Sequence, residues 1–314
     1  MEQQTEKNDI SIPLFAFNIV LVGLVIGLGF LIYQVDARKE RITGDQKSTT
    51  QVSFSVPAVQ AQSFIVWDIV DQKVIAEKNS NVSRPLASLT KVMSALVART
   101  LLPEHSTVTV KKEFLTEEGD TGLRDGEVFA LSDLLDFSLI VSSNDGARSI
   151  ASVAGAFKLG TKDYTLGRKE FIDEMNVYAK RLQLSTMSFS NETGLDMNEK
   201  LAGGYGSAEE VALLFGYILD QYPELLEATR IPKETVYSTQ YSHEAVNTND
   251  RLSDIPNVIA SKTGFTNLAG GNLAVVFDAG FGRPIAIVVL GSTAEGRFGD
   301  VVALASSTLQ YLKQ

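Results

Sequence analysis

Ser88 and Lys91 stand three residues apart in the run Ser88-Leu89-Thr90-Lys91. On a helix, positions i and i+3 share a face with Cβ atoms about 5–6 Å apart, so the lysine amine reaches the serine hydroxyl. Serine is a poor nucleophile until a neighbouring base takes its proton. Lys91 can be that base only if its pKa falls well below about 10.4, and burial or a second cation nearby would lower it. Pro85 precedes the run at a distance suited to a helix start, which puts Ser88 in the first turn. Backbone N–H groups are free there, and the positive end of the helix dipole favours a developing oxyanion.

Two further groupings follow in order. Ser142-Ser143-Asn144 closes the apolar run at residues 134–141. Ser142 is placed to relay a proton between Lys91 and a leaving group, and the Asn144 amide can donate to a substrate carbonyl. Lys262-Thr263-Gly264 closes the apolar stretch Val258-Ile259-Ala260. Lys262 is a candidate second cation beside Lys91. With Thr263 it can bind an anionic substrate group, while Gly264 permits close backbone approach. The N–H groups of Phe265 and Ser88 would form a two-donor oxyanion hole, worth several kcal/mol in a transition state. The strand edge offers hydrogen bonds to an extended peptide. Taken alone, each grouping has a plainer reading: a helix start, a polar turn, a strand ending at glycine. The three in order within one domain-sized stretch point to acyl transfer through a serine.

The elements that must position these groups follow from periodicity. Residues 63–68 and 73–77 read as two strands around a polar turn at Asp71-Gln72. Helical signals dominate residues 88–226, with apolar residues three and four apart at 92–102, 131–141, 169–184 and 208–219. Strands return at 257–262, 272–277 and 284–290, and 301–312 reads as a closing helix. Short links between the late strands favour an antiparallel sheet. The expected α+β architecture is one sheet built from both chain ends, covered by helices, with a helical lobe beside it and the cleft between.

The chain has 314 residues, no cysteine and two histidines, His105 and His243. This excludes disulfides, thiol nucleophiles and Cys- or His-rich metal sites, and no cofactor is needed for the chemistry above. A net charge of −10 argues against a nucleic-acid surface. Residues 14–33 are apolar apart from Asn18 and, as a helix of about 30 Å, match a bilayer core. The run exceeds the 7–15 residues usual in a cleaved signal peptide, so we read it as a transmembrane anchor. The expected layout is a short tail (1–13), the anchor (14–33), a linker (34–61) and a catalytic domain (62–314). Only Lys7 precedes the anchor, whereas Arg38, Lys39, Arg41 and Lys47 follow it. Positive charge alone would place the domain in the cytoplasm.

The three groupings form the S-x-x-K, S-x-N and K-T-G set of penicillin-recognising serine enzymes. The likeness extends further. Residues 85–93 resemble the nucleophile segment of the serine-type D-alanyl-D-alanine carboxypeptidases, the low-molecular-mass penicillin-binding proteins. Ser143-Asn144-Asp145-Gly146-Ala147 is similar to their S-G-N-D-A run, and residues 189–196 to F-x-N-x-T-G-L-D. Asn247-Thr248-Asn249 resembles N-x-N, and residues 262–270 resemble K-T-G-[HYF]-T-x-x-A-G. Ser143 and Ala260 stand where the family usually has glycine, and neither change removes a catalytic group.

The resemblance implies a β-lactamase/transpeptidase-like fold and a D,D-peptidase acting on the D-Ala-D-Ala end of peptidoglycan stem peptides. Ser88 would be acylated, and β-lactam antibiotics would be covalent inhibitors. The domain would then lie outside the cytoplasm, at the cell membrane, against the charge count. The family's carboxylate-binding arginine follows the last strand in a G-R segment, which Gly296-Arg297 matches. Alternatives are a D,D-endopeptidase using the same residues, a β-lactamase, and a penicillin-acylated sensor. The β-lactamase would need S-D-N and a deacylating glutamate, and no such glutamate motif is evident. No signalling domain precedes the anchor.

Overall fold

The computed structural model describes residues 53–119 and 121–314. The anchor at 14–33, the tail and most of the linker lie outside the described residues. Among the described residues no helix is long and apolar enough to cross a membrane.

Both chain ends build one five-stranded antiparallel sheet. Its strands are β1 (Ser63–Asp68), β2 (Lys73–Lys78), β3 (Val258–Thr266), β4 (Gly270–Asp278) and β5 (Pro284–Ser292). The spatial order is β3-β4-β5-β1-β2, so β3, which carries Lys262-Thr263-Gly264, is an edge strand. Side chains alternate across a strand, and the alternation here feeds two separate cores. Ile65, Trp67, Ala274, Val276, Ala286 and Val288 face the helical lobe. Phe64, Val66, Leu273, Val275, Phe277, Ile285 and Ile287 face the last helix. Burying each large side chain of this kind contributes about 1.5–3 kcal/mol. The two-sided burial explains why β1 reads as a continuous apolar run.

The helices are α1 (Thr90–Leu101), α2 (Leu131–Ile140), α3 (Asn144–Leu159), α4 (Tyr164–Arg181), α5 (Ala208–Gln221) and α6 (Gly296–Leu312). The apolar spacing gave α4 a start at 169. The observed start is earlier because Asp163 caps it, accepting from the N–H groups of Thr165 and Leu166 at 3.0 Å. Helix α6 covers the second face of the sheet through Phe298, Val301 and Leu304. Residues 53–61, assigned to the linker from sequence, pack along the domain. The N–H groups of Gln60 and Ala61 each donate to the Asp300 carboxylate at 2.8 Å, and the Phe54 ring meets the Tyr311 edge at 5.8 Å.

A hairpin, Lys233–Tyr237 with Ser242–Val246, was not expected from the sequence. Its strands bury only Val236 and Ala245, which leaves too little alternation to signal strands. The hairpin lies against α2, where burial, and then the carboxylates of Glu234, Asp133 and Glu227, push the Asp136 carboxyl up to about 7. Its folded value lies above the unfolded one, so ionising it costs stability from about pH 4 upward, and the cost is complete above pH 7. Asp136→Asn is therefore expected to stabilise the fold by on the order of 2–4 kcal/mol above pH 7 and to bring almost nothing near pH 4. Thermal unfolding of both proteins across that range checks this. An equal gain at both ends would refute the electrostatic origin.

Candidate active site

Ser88 does not sit in the α-helix itself. It lies in a 3₁₀ turn, Ala87–Leu89, that runs directly into α1. Ala87 takes a left-handed backbone (φ 49°), which is costly for a residue with a Cβ and marks a tightly constrained turn. Two contacts hold that turn, one to Gly204 outside the five-stranded sheet and one to Asn272 of β4. Leu86 N–H donates to Gly204 O (2.9 Å), and the Asn272 side chain donates to Pro85 O (2.9 Å).

Lys91 is buried, with its amine 2.9 Å from Ser88 Oγ, 2.6 Å from Asn144 Oδ1 and 3.0 Å from the carbonyl of Thr193. Burial lowers its pKa to about 7, while Glu192 and Glu117 favour the ammonium and oppose the fall. The amine beside the Ser88 hydroxyl can therefore lose its proton far more readily than an ordinary lysine.

Ser142 stands between α2 and α3 with a left-handed backbone (φ 62°). Its Oγ accepts from Lys262 Nζ at 2.9 Å. Lys262 is also buried, and its amine donates to the carbonyl of Thr263 at 3.0 Å. Burial, then Lys91 and Arg297, hold its pKa well below the ordinary lysine value. From sequence, burial and a second cation, with Lys262 the candidate, are the two causes that could lower Lys91. In the structure burial dominates the Lys91 shift, and the repulsion between the two amines bears on Lys262.

The edge of β3 touches the Ser88 turn. A Cβ at Gly264 would fall 2.9 Å from Leu86 O and 3.1 Å from Ser88 N, so a side chain there would push strand and turn apart. Phe265 follows, half-exposed at the rim. Thr263 Oγ1 lies 2.6 Å from Thr248 Oγ1, within the Asn247-Thr248-Asn249 segment. Asn249 anchors that segment by donating to Ser261 Oγ at 2.8 Å. Arg297, in the first turn of α6, donates to the carbonyl of Gly264 at 2.8 Å, which sets its guanidinium at the end of the same strand.

These contacts link all nine residues singled out from sequence: Ser88, Lys91, Ser142, Asn144, Lys262, Thr263, Gly264, Phe265 and Arg297. The Asn144 amide, assigned from sequence to a substrate carbonyl, donates one N–H from Nδ2 to the carbonyl of Glu118 (2.6 Å) while its Oδ1 accepts from Lys91. The amide nitrogen carries two N–H donors, so the bond to Glu118 leaves the second for another acceptor. Sequence reasoning also passed over Thr193, whose contribution is a backbone carbonyl and so leaves no residue-type signal. It gave no role to Asp196, whose carboxylate accepts from Thr266 Oγ1 (2.9 Å) and Leu268 N (3.1 Å) and fixes the β3–β4 turn. Its acidic type beside a glycine-rich turn was the available clue.

Two serine–lysine pairs, each with a lysine depressed by burial, can deprotonate a serine and pass its proton onward. The strand edge and Arg297 offer cationic and backbone groups to an anionic peptide end.

Comparison with known proteins agrees with this chemistry. Residues 50–294 match the family model described as D-alanyl-D-alanine carboxypeptidase. The chain is 30% identical over 247 residues to the D-alanyl-D-alanine carboxypeptidase DacB2 of Mycobacterium tuberculosis, covering 78% of this chain and 79% of the relative. It is 28% identical over 289 residues to a D-alanyl-D-alanine endopeptidase of Escherichia coli, covering 85% of this chain and 87% of the relative. A solved D-alanyl-D-alanine carboxypeptidase structure from Mycobacterium tuberculosis superposes with a TM-score of 0.70 at 25% identity, over 86% of this chain and 96% of the other. The Streptomyces K15 DD-transpeptidase shares the fold, with a TM-score of 0.73 at 20% identity over 82% of this chain and 99% of the other.

Proposed function

The chain belongs to the D-alanyl-D-alanine carboxypeptidase family, and from that membership we propose that it removes the terminal D-alanine from peptidoglycan stem peptides through an acyl-enzyme on Ser88. The observation that carries the residue assignment is the Lys91 amine, buried and 2.9 Å from Ser88 Oγ.

In the first half-reaction neutral Lys91 takes the Ser88 proton as Oγ attacks the carbonyl carbon of the penultimate D-alanine. The oxyanion forms against the N–H groups of Ser88 and Phe265. Lys262, Thr263 and Arg297 hold the terminal carboxylate. Ser142 returns the proton to the leaving nitrogen as the C–N bond breaks, its own hydroxyl held by Lys262. Free D-alanine departs and an ester on Ser88 remains. Lys91, neutral again, then takes a proton from water as the water oxygen attacks the ester carbon; the C–Oγ bond breaks, Lys91 returns that proton to Ser88 Oγ, and the shortened peptide leaves with a new terminal carboxyl group. A β-lactam enters the same first half-reaction, and its ester persists because the opened ring stays attached.

On this reading the domain works outside the cytoplasm, tethered by residues 14–33. A reporter that is active only outside the cytoplasm, fused after Gln314, should be active. The enzymatic test is D-alanine release by the full-length chain from a pentapeptide ending in D-Ala-D-Ala, run beside a cross-linked muropeptide dimer. Release from the pentapeptide establishes the carboxypeptidase. Cleavage of the dimer alone would replace that reading with endopeptidase activity, the activity named for one relative.

A further inference from the structure

Behind Lys91 lies a chain of ion pairs that the reaction above does not use. Glu117, in the segment between Phe114 and Thr121, accepts from Arg148 of α3 (2.5 Å) and faces Arg168 of α4 (3.4 Å). Arg168 Nε in turn donates to both carboxylate oxygens of Glu192, at 2.9 and 3.0 Å. The Glu192 side chain is fully buried. The charges therefore alternate along Arg148, Glu117, Arg168 and Glu192.

The backbone at both glutamates of this chain is fastened to groups around the Lys91 amine. The carbonyl of Glu192 accepts from Ser94 Oγ (2.7 Å), and the next carbonyl, that of Thr193, accepts from Lys91. Glu117 N–H donates to Asp145 Oδ1 (3.0 Å), and Glu118 O accepts from the amide of Asn144, whose oxygen holds Lys91. Among the described residues, the charged groups that bear on the amine are Glu192 and Glu117, and the amine in turn bears on Lys262 of β3. Glu192 and Glu117 are the two that favour its ammonium form.

We propose that Glu117 and Arg168 are positioning residues: their ion pairs hold Thr193 and Asn144 against the Lys91 amine and set the pH at which that amine can act as a base. The inference rests on the reading of Lys91 as the base. One buried carboxylate, Glu192, and one partly buried carboxylate, Glu117, balance two arginines in charge, so removing one member tips the local field in a direction known beforehand. Loss of the Glu117 charge leaves two arginines facing one carboxylate and makes the ammonium less favourable. Loss of the Arg168 charge leaves Glu192 buried without its partner and makes the ammonium more favourable.

The test is the rate of Ser88 acylation by a fluorescent penicillin between pH 5 and 9 for the full-length wild type, Glu117→Gln and Arg168→Gln. The wild type should lose rate on the acid side as Lys91 protonates. In Glu117→Gln this limb should move to lower pH by half a unit or more, about threefold in rate at a pH on the limb, because one unit is tenfold. In Arg168→Gln it should move the other way. A merely structural role would lower the rate at every pH and leave the limb in place. An unmoved limb, or a shift of both variants in the same direction, would overturn the proposal. Should Arg168→Gln fail to fold, Glu117→Gln decides alone, since the glutamine keeps a hydrogen bond to Arg148. A wild type with no acid limb would overturn the assignment of Lys91 itself and this inference with it.

Discussion

Ser88→Ala is expected to lower D-alanine release by roughly 10⁴-fold or more and to abolish covalent labelling by penicillin, with the thermal midpoint unchanged or raised. Removing the nucleophile of a covalent mechanism leaves only binding and oxyanion stabilisation, which is why losses of this size follow. Among the described residues Ser88 Oγ has one side-chain partner, the Lys91 amine, so the alanine removes little that holds the fold together. The competing serine is Ser142, whose hydroxyl is held by the other buried lysine. Labelling of the Ser88→Ala protein, mapped by mass spectrometry to Ser142, would exchange the roles of the two pairs. Labelling of neither in the wild type would sink the serine mechanism.

Lys91→Met should reduce acylation by about 10²–10⁴-fold, the range for loss of a positioned general base. The methionine preserves the length of the buried side chain and takes away the proton acceptor. The pH profile separates this from a packing defect. Burial sets the Lys91 pKa at about 7, so the wild-type rate should rise as pH rises through that value and the amine becomes free. In the variant the residual rate should lose that rise. A variant that keeps the wild-type profile at a lower rate would assign the titration to another group. Lys262 would be the next to examine, because its pKa is also depressed and it contacts Ser142.

The readings from sequence held best where a local signal and a residue type coincided. The i, i+3 spacing placed Lys91 on Ser88, although the nucleophile occupies a 3₁₀ turn and not the α-helix. The late strands were legible from their Val, Ile and Ala runs, and the antiparallel order from the short links between them. The alternation in β1 was hidden because both faces of that strand are buried, and the hairpin at 233–246 was hidden because almost none of it is.

The sequence by itself determined the reacting groups: a serine with a lysine one turn away, a second serine at a helix boundary, and a lysine followed by a glycine on a strand. It also marked Gly264 as a place of close backbone approach, and the structure adds the Ser88 turn as the neighbour that a side chain there would meet. Only the tertiary structure decided the state of those groups. Lys91 owes its lowered proton affinity to burial and keeps it in range through Glu192 and Glu117. It reaches Thr193 across 102 residues of chain, and Lys262 reaches Ser142 across 120. Desolvation and Coulomb terms depend on what surrounds a charge in space, and local sequence carries no record of partners that far away. The same reason hid the occupation of the Asn144 amide by Glu118 O, a backbone atom that every residue possesses and no motif can mark.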